Sequence, residues 1–135
     1  MEMVANCVAY YDGKKIRDIT IDEISDFIEQ PGTFVWLGLC EPDEPLMRKV
    51  QEEFGLHDLA VEDAWRAHQR PKLEAYGGTL FVVLRTARMS NGDLDFGETH
   101  LFIGTRYVVT VRHGASSAYK DVRSRCEAEP GTRAR

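Results

Sequence analysis

The sequence predicts an α/β domain, and three observations carry that expectation. Two strand-like segments at residues 3–11 and 33–39 flank a stretch with apolar residues at helical spacing, which gives a strand, helix, strand unit at the front of the chain. Two further helical segments follow, joined by a tight turn at Gly55. Behind them come long apolar strands around Asn91-Gly92, a dipeptide whose residues both accept positive φ and which is a strong hairpin signal. With 135 residues, 43% hydrophobic and 29% charged, the chain fits one compact domain with a sizeable core.

Each element has its own reason. Residues 3–11 are rich in valine and tyrosine and stop at the turn pair Asp12-Gly13, after which Lys14, Lys15 and Arg17 form a basic edge. Thr20 and Glu23 make a capping box, and Ile21, Ile24, Phe27 and Ile28 recur at helical spacing, so a helix is expected over 21–29, ended by Pro31-Gly32. Residues 33–39 are too continuously apolar for a strand with one wet face and fit a central strand covered on both sides. Glu41-Pro42-Asp43 feeds the next helix, which continues through Leu46, Val50 and Phe54 to Gly55. A shorter helix begins at His57-Asp58, with Asp58 expected as its N-cap, and Arg70-Pro71 breaks the chain after it. Three strands at 79–88, 94–103 and 106–112 form an antiparallel meander. An edge helix with Tyr119, Val122 and Cys126 at helical spacing is expected over 116–129.

Composition removes several function classes. A net charge of -5 argues against a general nucleic-acid binder, which needs a basic face to neutralise phosphates. Cys7, Cys40 and Cys126 are odd in number and far apart, with no Cys-x-x-Cys pair, so neither a disulfide framework nor a zinc ribbon is expected and the setting reads as reducing. The opening Met1-Glu-Met-Val does not read as a leader. The longest apolar run, 80–84, is far short of the about 20 residues that cross a bilayer. Nucleophile-elbow, phosphate-loop and dinucleotide fingerprints are missing, and Gly77-Gly78 precedes a strand rather than a helix, so no enzyme is expected. His57, His68, His100 and His113 show no metal-ligand spacing, and Cys7 and Cys40 read as core residues on strands.

The stretch from Phe54 to Lys72 holds the one anomaly. On a wheel at about 100° per residue, Leu56, Leu59, Ala60, Ala64 and Ala67 share a face, with Asp58, Glu62 and Arg66 along its flank. Asp63 falls in the middle of the apolar face, where a carboxylate is costly unless paired, hydrogen-bonded or bound to a cation. Four readings compete: a pair with Arg66, Arg70 or Lys72, a backbone cap, a subunit boundary, or a metal site. Spacing alone favours the pair within the chain. Glu62 reads by itself as a solvated charge, and a hard cation such as magnesium would find only part of a site in Glu62 and Asp63.

Phe54-Gly-Leu-His57, Val61-Glu-Asp63, His68-Gln-Arg-Pro-Lys72, the strand Leu80-Phe-Val-Val-Leu84 and the earlier Phe34-Val-Trp-Leu37 resemble the N-terminal cytoplasmic domain of the CorA-family magnesium transporters. The resemblance covers roughly residues 33–112. It implies a three-layer α/β/α sandwich with a mixed, partly antiparallel sheet, and places residues 1–135 as a single regulatory domain on the cytoplasmic side of the cell membrane. It further implies a longer protein, a homopentamer with a stalk helix and two C-terminal transmembrane helices of about 20 apolar residues each. Asp63 first and Glu62 second would contribute to a regulatory divalent-cation site, completed by carboxylates of a neighbouring subunit's stalk. The implied cation is Mg2+, with Co2+, Ni2+ and Zn2+ as alternatives. No Gly-Met-Asn selectivity motif, stalk or membrane span lies within these residues, so this chain does not itself conduct ions. Two other readings stand beside this one: a free-standing α/β binding or scaffold module that uses its acidic helix as a partner interface, and a metal-dependent hydrolase using Glu62 and Asp63.

Overall fold

A computed structural model describes residues 3–65 and 70–114. Its centre is a seven-stranded sheet: β1 (Val4–Tyr11), β2 (Lys14–Asp18), β3 (Thr33–Cys40), β4 (Lys72–Tyr76), β5 (Thr79–Ser90), β6 (Asp93–Ile103) and β7 (Tyr107–Gly114), in the order β2-β1-β3-β7-β6-β5-β4. β3 and β7 run parallel, and the other neighbours are antiparallel. A 3-10 turn (Ile21–Glu23) leads into α1 (Ile24–Ile28), and α2 (Glu44–Phe54) and α3 (Asp58–Trp65) lie between β3 and β4. The fold is α/β with a mixed sheet, as expected.

Local chemistry accounts for these elements. Thr20 and Glu23 close the capping box, with the Thr20 N–H donating to Glu23 Oε1 at 3.0 Å. Asp43 caps α2 by accepting from the Leu46 N–H at 3.0 Å, and Pro45 occupies its first turn, where no backbone donor is needed. Gly55 ends α2 in the left-handed region at φ 69°, its N–H donating to the Gln51 carbonyl at 2.7 Å. The hairpin turn at Asn91-Gly92 has φ values of 51° and 84°, the positive pair that a two-residue connection requires.

The strands align apolar residues into a continuous row. Cys7 stands opposite Leu37, Leu37 opposite Val109, Val109 opposite Phe102 and Phe102 opposite Phe81. α1, α2 and α3 cover this face through Ile24, Met47, Val50, Phe54, Ala60, Val61 and Ala64. On the opposite face Val8, Tyr10 and Trp36 are also buried, so β3 is a central strand covered on both sides. The edge helix expected over 116–129 lies outside the described residues.

Three expectations need correction. The basic edge at 14–17 is a full strand, β2, paired with β1, and residues 72–76 are a strand rather than a connection, so the meander has four strands. Every residue of β2 is exposed and β4 alternates exposed with half-buried positions, so neither shows the apolar run that marks an inner strand. Asp58 is the first helical residue of α3 rather than its cap. His57 takes that role, its Nδ1 accepting from the Leu59 N–H at 3.1 Å.

Candidate functional site

α3 rests on the sheet through Ala60, Val61 and Ala64, all buried. Leu59 is 57% exposed and Trp65 42%, so the buried arc is rotated from the one the wheel predicts. Leu56 lies in the corner before the helix, and counting it with α3 turned the expected face towards Leu59. At about 100° per residue, an arc centred between Ala60, Val61 and Ala64 puts Glu62 on the outward side and Asp63 at the border. The structure agrees: Glu62 is exposed and Asp63 half-buried.

Asp63 is held within the chain. Lys72 Nζ donates to Asp63 Oδ2 at 2.7 Å, with the two side chains 27% and 30% exposed, and lies 3.1 Å from Glu74 Oε1. Lys72 was one of the three partners named by spacing. Its ammonium also sits 5.6 Å from the Phe81 ring centroid. The bond to Asp63, reinforced by Glu74, raises the Lys72 pKa above the ordinary lysine value. The Tyr76 hydroxyl donates to Glu74 and, with Lys72, holds that carboxyl below its usual range. The Tyr76 ring packs 4.7 Å from the His57 ring at the start of α3. β4 therefore straps α3 near both ends of its described span, through Lys72 on Asp63 and Tyr76 on His57.

Glu62 projects from the other flank into a groove between α2 and α3, lined with Glu44, Met47, Arg48, Val61 and Trp65. The acidic neighbours thus diverge, one towards β4 and one towards α2. Among the described residues no group of three His, Cys, Asp or Glu side chains is placed to hold a metal ion. Glu62 and Asp63 fit a divalent cation only as part of a donor set, with Lys72 as a resident competitor for Asp63.

A second polar cluster escaped the sequence reading. Glu98 and His100 of β6 and His113 of β7 are all buried on the helix-covered face. His100 Nε2 lies 2.9 Å from Glu98 Oε2, and Arg85 Nη1 is 3.8 Å from Glu98 Oε1. His113 Nε2 donates to the Ala64 carbonyl of α3 at 2.7 Å, and its Nδ1 lies 3.7 Å from Glu41 Oε2. The available signal was parity: Glu98, His100 and Phe102 alternate along a strand whose Phe102 is core. Cys7 is buried on β1, and burial pushes its thiol up to about 12, so it is an inert core residue. Cys40 ends β3 half-buried, and the expected roles of Arg66, Ala67 and His68 lie outside the described residues.

Among the described residues, a mixed seven-stranded sheet carries helices on one face, and the last of these helices bears an acidic pair. A family profile described as "CorA-like Mg2+ transporter protein" matches residues 31–134. The chain belongs to that family. It is 31% identical over 116 residues to YfjQ of Bacillus subtilis (strain 168), provisionally named a metal ion transporter, covering 85% of this chain and 34% of that one. It is 28% identical over 125 residues to the cobalt/magnesium transport protein CorA of Thermotoga maritima, covering 87% and 35%. The chain thus spans about a third of the length of these relatives. The fold matches the full-length CmaX protein with a TM-score of 0.74 at 19% identity, covering 93% of this chain and 39% of that one. It matches the ZntB cytoplasmic domain of Vibrio parahaemolyticus at 0.66 and 15% identity, covering 96% and 51%.

Proposed function

We propose that residues 1–135 form the cytoplasmic regulatory domain of a CorA-like divalent-cation transporter, and that Asp63 and Glu62 are its half of a cation-sensing site. The observation that carries this is the placement of the pair: both carboxylates stand on the side of α3 turned away from the buried arc, one outward and one at the border. In this reading the longer protein assembles as a homopentamer through a stalk helix and two transmembrane helices. The domain performs no catalysis, and Mg2+ is the cargo as well as the signal, with Co2+, Ni2+ or Zn2+ as other cargoes.

The mechanism follows from electrostatics. A divalent cation shared between Asp63 and a neighbour's carboxylates would neutralise charges that otherwise repel, and so favour the closed, symmetric assembly. It shifts gating only by the difference in its affinity for the two states. Lys72 has a defined part here, because Glu74 already accepts from it: when Asp63 turns to a cation, the ammonium stays paired. That the relatives are named as metal-ion transporters supports the transport class, and no observation singles out hydrolysis.

Calorimetric titration of the 135-residue chain with MgCl2, beside Asp63→Ala, tests the half-site. The expected result is weak binding, with a Kd on the order of 1 mM or above, that weakens further in the variant. Tight stoichiometric binding by the isolated monomer would overturn a site shared between subunits.

A further inference from the structure

The buried cluster beneath α3 has no part in that cation site, yet it touches the helix that carries it. We propose that Glu98, His100 and His113 form a proton-sensitive clamp that seats α3 on the sheet near neutral pH and loosens it on acidification.

Besides the β4 contacts at Asp63 and His57, the helix has only a slight apolar seat on the sheet. α3 buries two alanines and one valine, small side chains that bring the backbone close to the sheet but contribute little apolar area. The His113 Nε2–H bond to the Ala64 carbonyl, 2.7 Å and buried, adds a polar anchor to that seat. Because a carbonyl only accepts, His113 must carry its proton on Nε2, which leaves Nδ1 facing Glu41. Glu41 is itself anchored, its Oε1 accepting from the Gly114 N–H at 2.6 Å.

His100 supplies the sensitivity. Its side chain is fully buried, its Nε2–H is directed at the Glu98 carboxylate, and its Nδ1 has no hydrogen-bond partner among the described residues. A neutral imidazole tolerates that lone pair. A second proton would create a buried N–H without an acceptor and a cation edge-on to the His113 ring, 5.3 Å away. The surroundings do not absorb that charge. On β6 the carboxylate of Glu98 faces His100 but already lies beside Arg85 of β5. His113 stands across on β7, with Glu41 beyond it. β5 presents the Phe81 ring, with Lys72 of β4 against it. From α3 the nearest charge is Asp63, itself paired with Lys72. Burial accordingly lowers the His100 pKa, with Glu98 opposing and His113 adding to the shift.

The sign follows. When α3 lifts and His100 regains water, its pKa returns to about 6.5. The open form then binds more protons than the closed form in the window below about 6.5 and above the lower closed value. Opening is therefore favoured as pH falls through that window and is independent of pH above it.

Hydrogen exchange of the 135-residue chain, corrected for intrinsic rates, reads this directly. The protection of α3 relative to α2, whose Met47, Val50 and Phe54 are buried in the apolar core, is expected to fall by up to about tenfold from about pH 7.5 to about pH 5.5. His100→Gln keeps a donor for Glu98 without titrating and is expected to hold the ratio flat. His113→Leu is expected to lower α3 protection at both pH values. A flat ratio in the parent chain, or an unchanged fall in His100→Gln, overturns the clamp. If His100→Gln fails to fold, the parent ratio alone decides. The clamp does not depend on the cation-sensing reading: exchange is followed without Mg2+, so either can fail while the other stands.

Discussion

Asp63 shows how a single side chain separates local pairing from function. Its carboxylate is matched by Lys72 at 2.7 Å, an ion pair in which each side chain is under a third exposed. Breaking such a partly exposed pair costs about 0.5–1 kcal/mol, since water screens much of the attraction. Lys72→Met should therefore lower stability by that amount in urea unfolding. The same change removes the cation that competes for Asp63, so the weak affinity for Mg2+ should rise, as measured by titration calorimetry. Unchanged or weaker Mg2+ binding in Lys72→Met would show that Asp63 is not a ligand.

Among the elements, the α2–α3 corner decides where the acidic pair points. Gly55 holds the left-handed conformation at φ 69°, and nothing within 4 Å would crowd a Cβ there, so the demand is purely one of backbone. Gly55→Ala should destabilise the chain by about 1 kcal/mol, read as a shifted urea midpoint at constant slope. A neutral effect would mean that the turn relaxes without the left-handed residue. This corner was legible in the sequence because caps and turns are short-range chemistry: Thr20 with Glu23, Asp43, Gly55 and Asn91-Gly92 each act within a few residues. The edge strands β2 and β4 were not legible. Their pairing comes from a neighbour's backbone, and their side chains carry no continuous apolar pattern. The rotation of α3 was hidden for a related reason, since the sheet it meets is built from β5, β6 and β7, which follow it in the chain.

In the whole molecule, burial on both faces of β3 makes the sheet a rigid floor, while α3 is a lightly seated element on it. An element seated through small side chains can shift between two positions while the scaffold stays fixed, which is what the proposed sensing role requires. The buried Glu98, His100 and His113 belong to this scale. The strand parity that places them was visible, but their convergence needs the register of β6 on β7, with Glu98 opposite His113. The partner role proposed for Asp63 lies outside periodicity altogether and rests on the resemblance of the Val61-Glu-Asp63 stretch to its family.

The central claim is that this domain senses a divalent cation for a transporter. It is tested most directly by Mg2+ flux through the full gene product in proteoliposomes, with the Mg2+ concentration varied on the face that carries this domain. The account predicts that Asp63→Ala conducts Mg2+ yet keeps less of the closure that high Mg2+ on that face imposes on the parent protein. Equal closure in parent and variant, or a gene product that carries no flux, would contradict it.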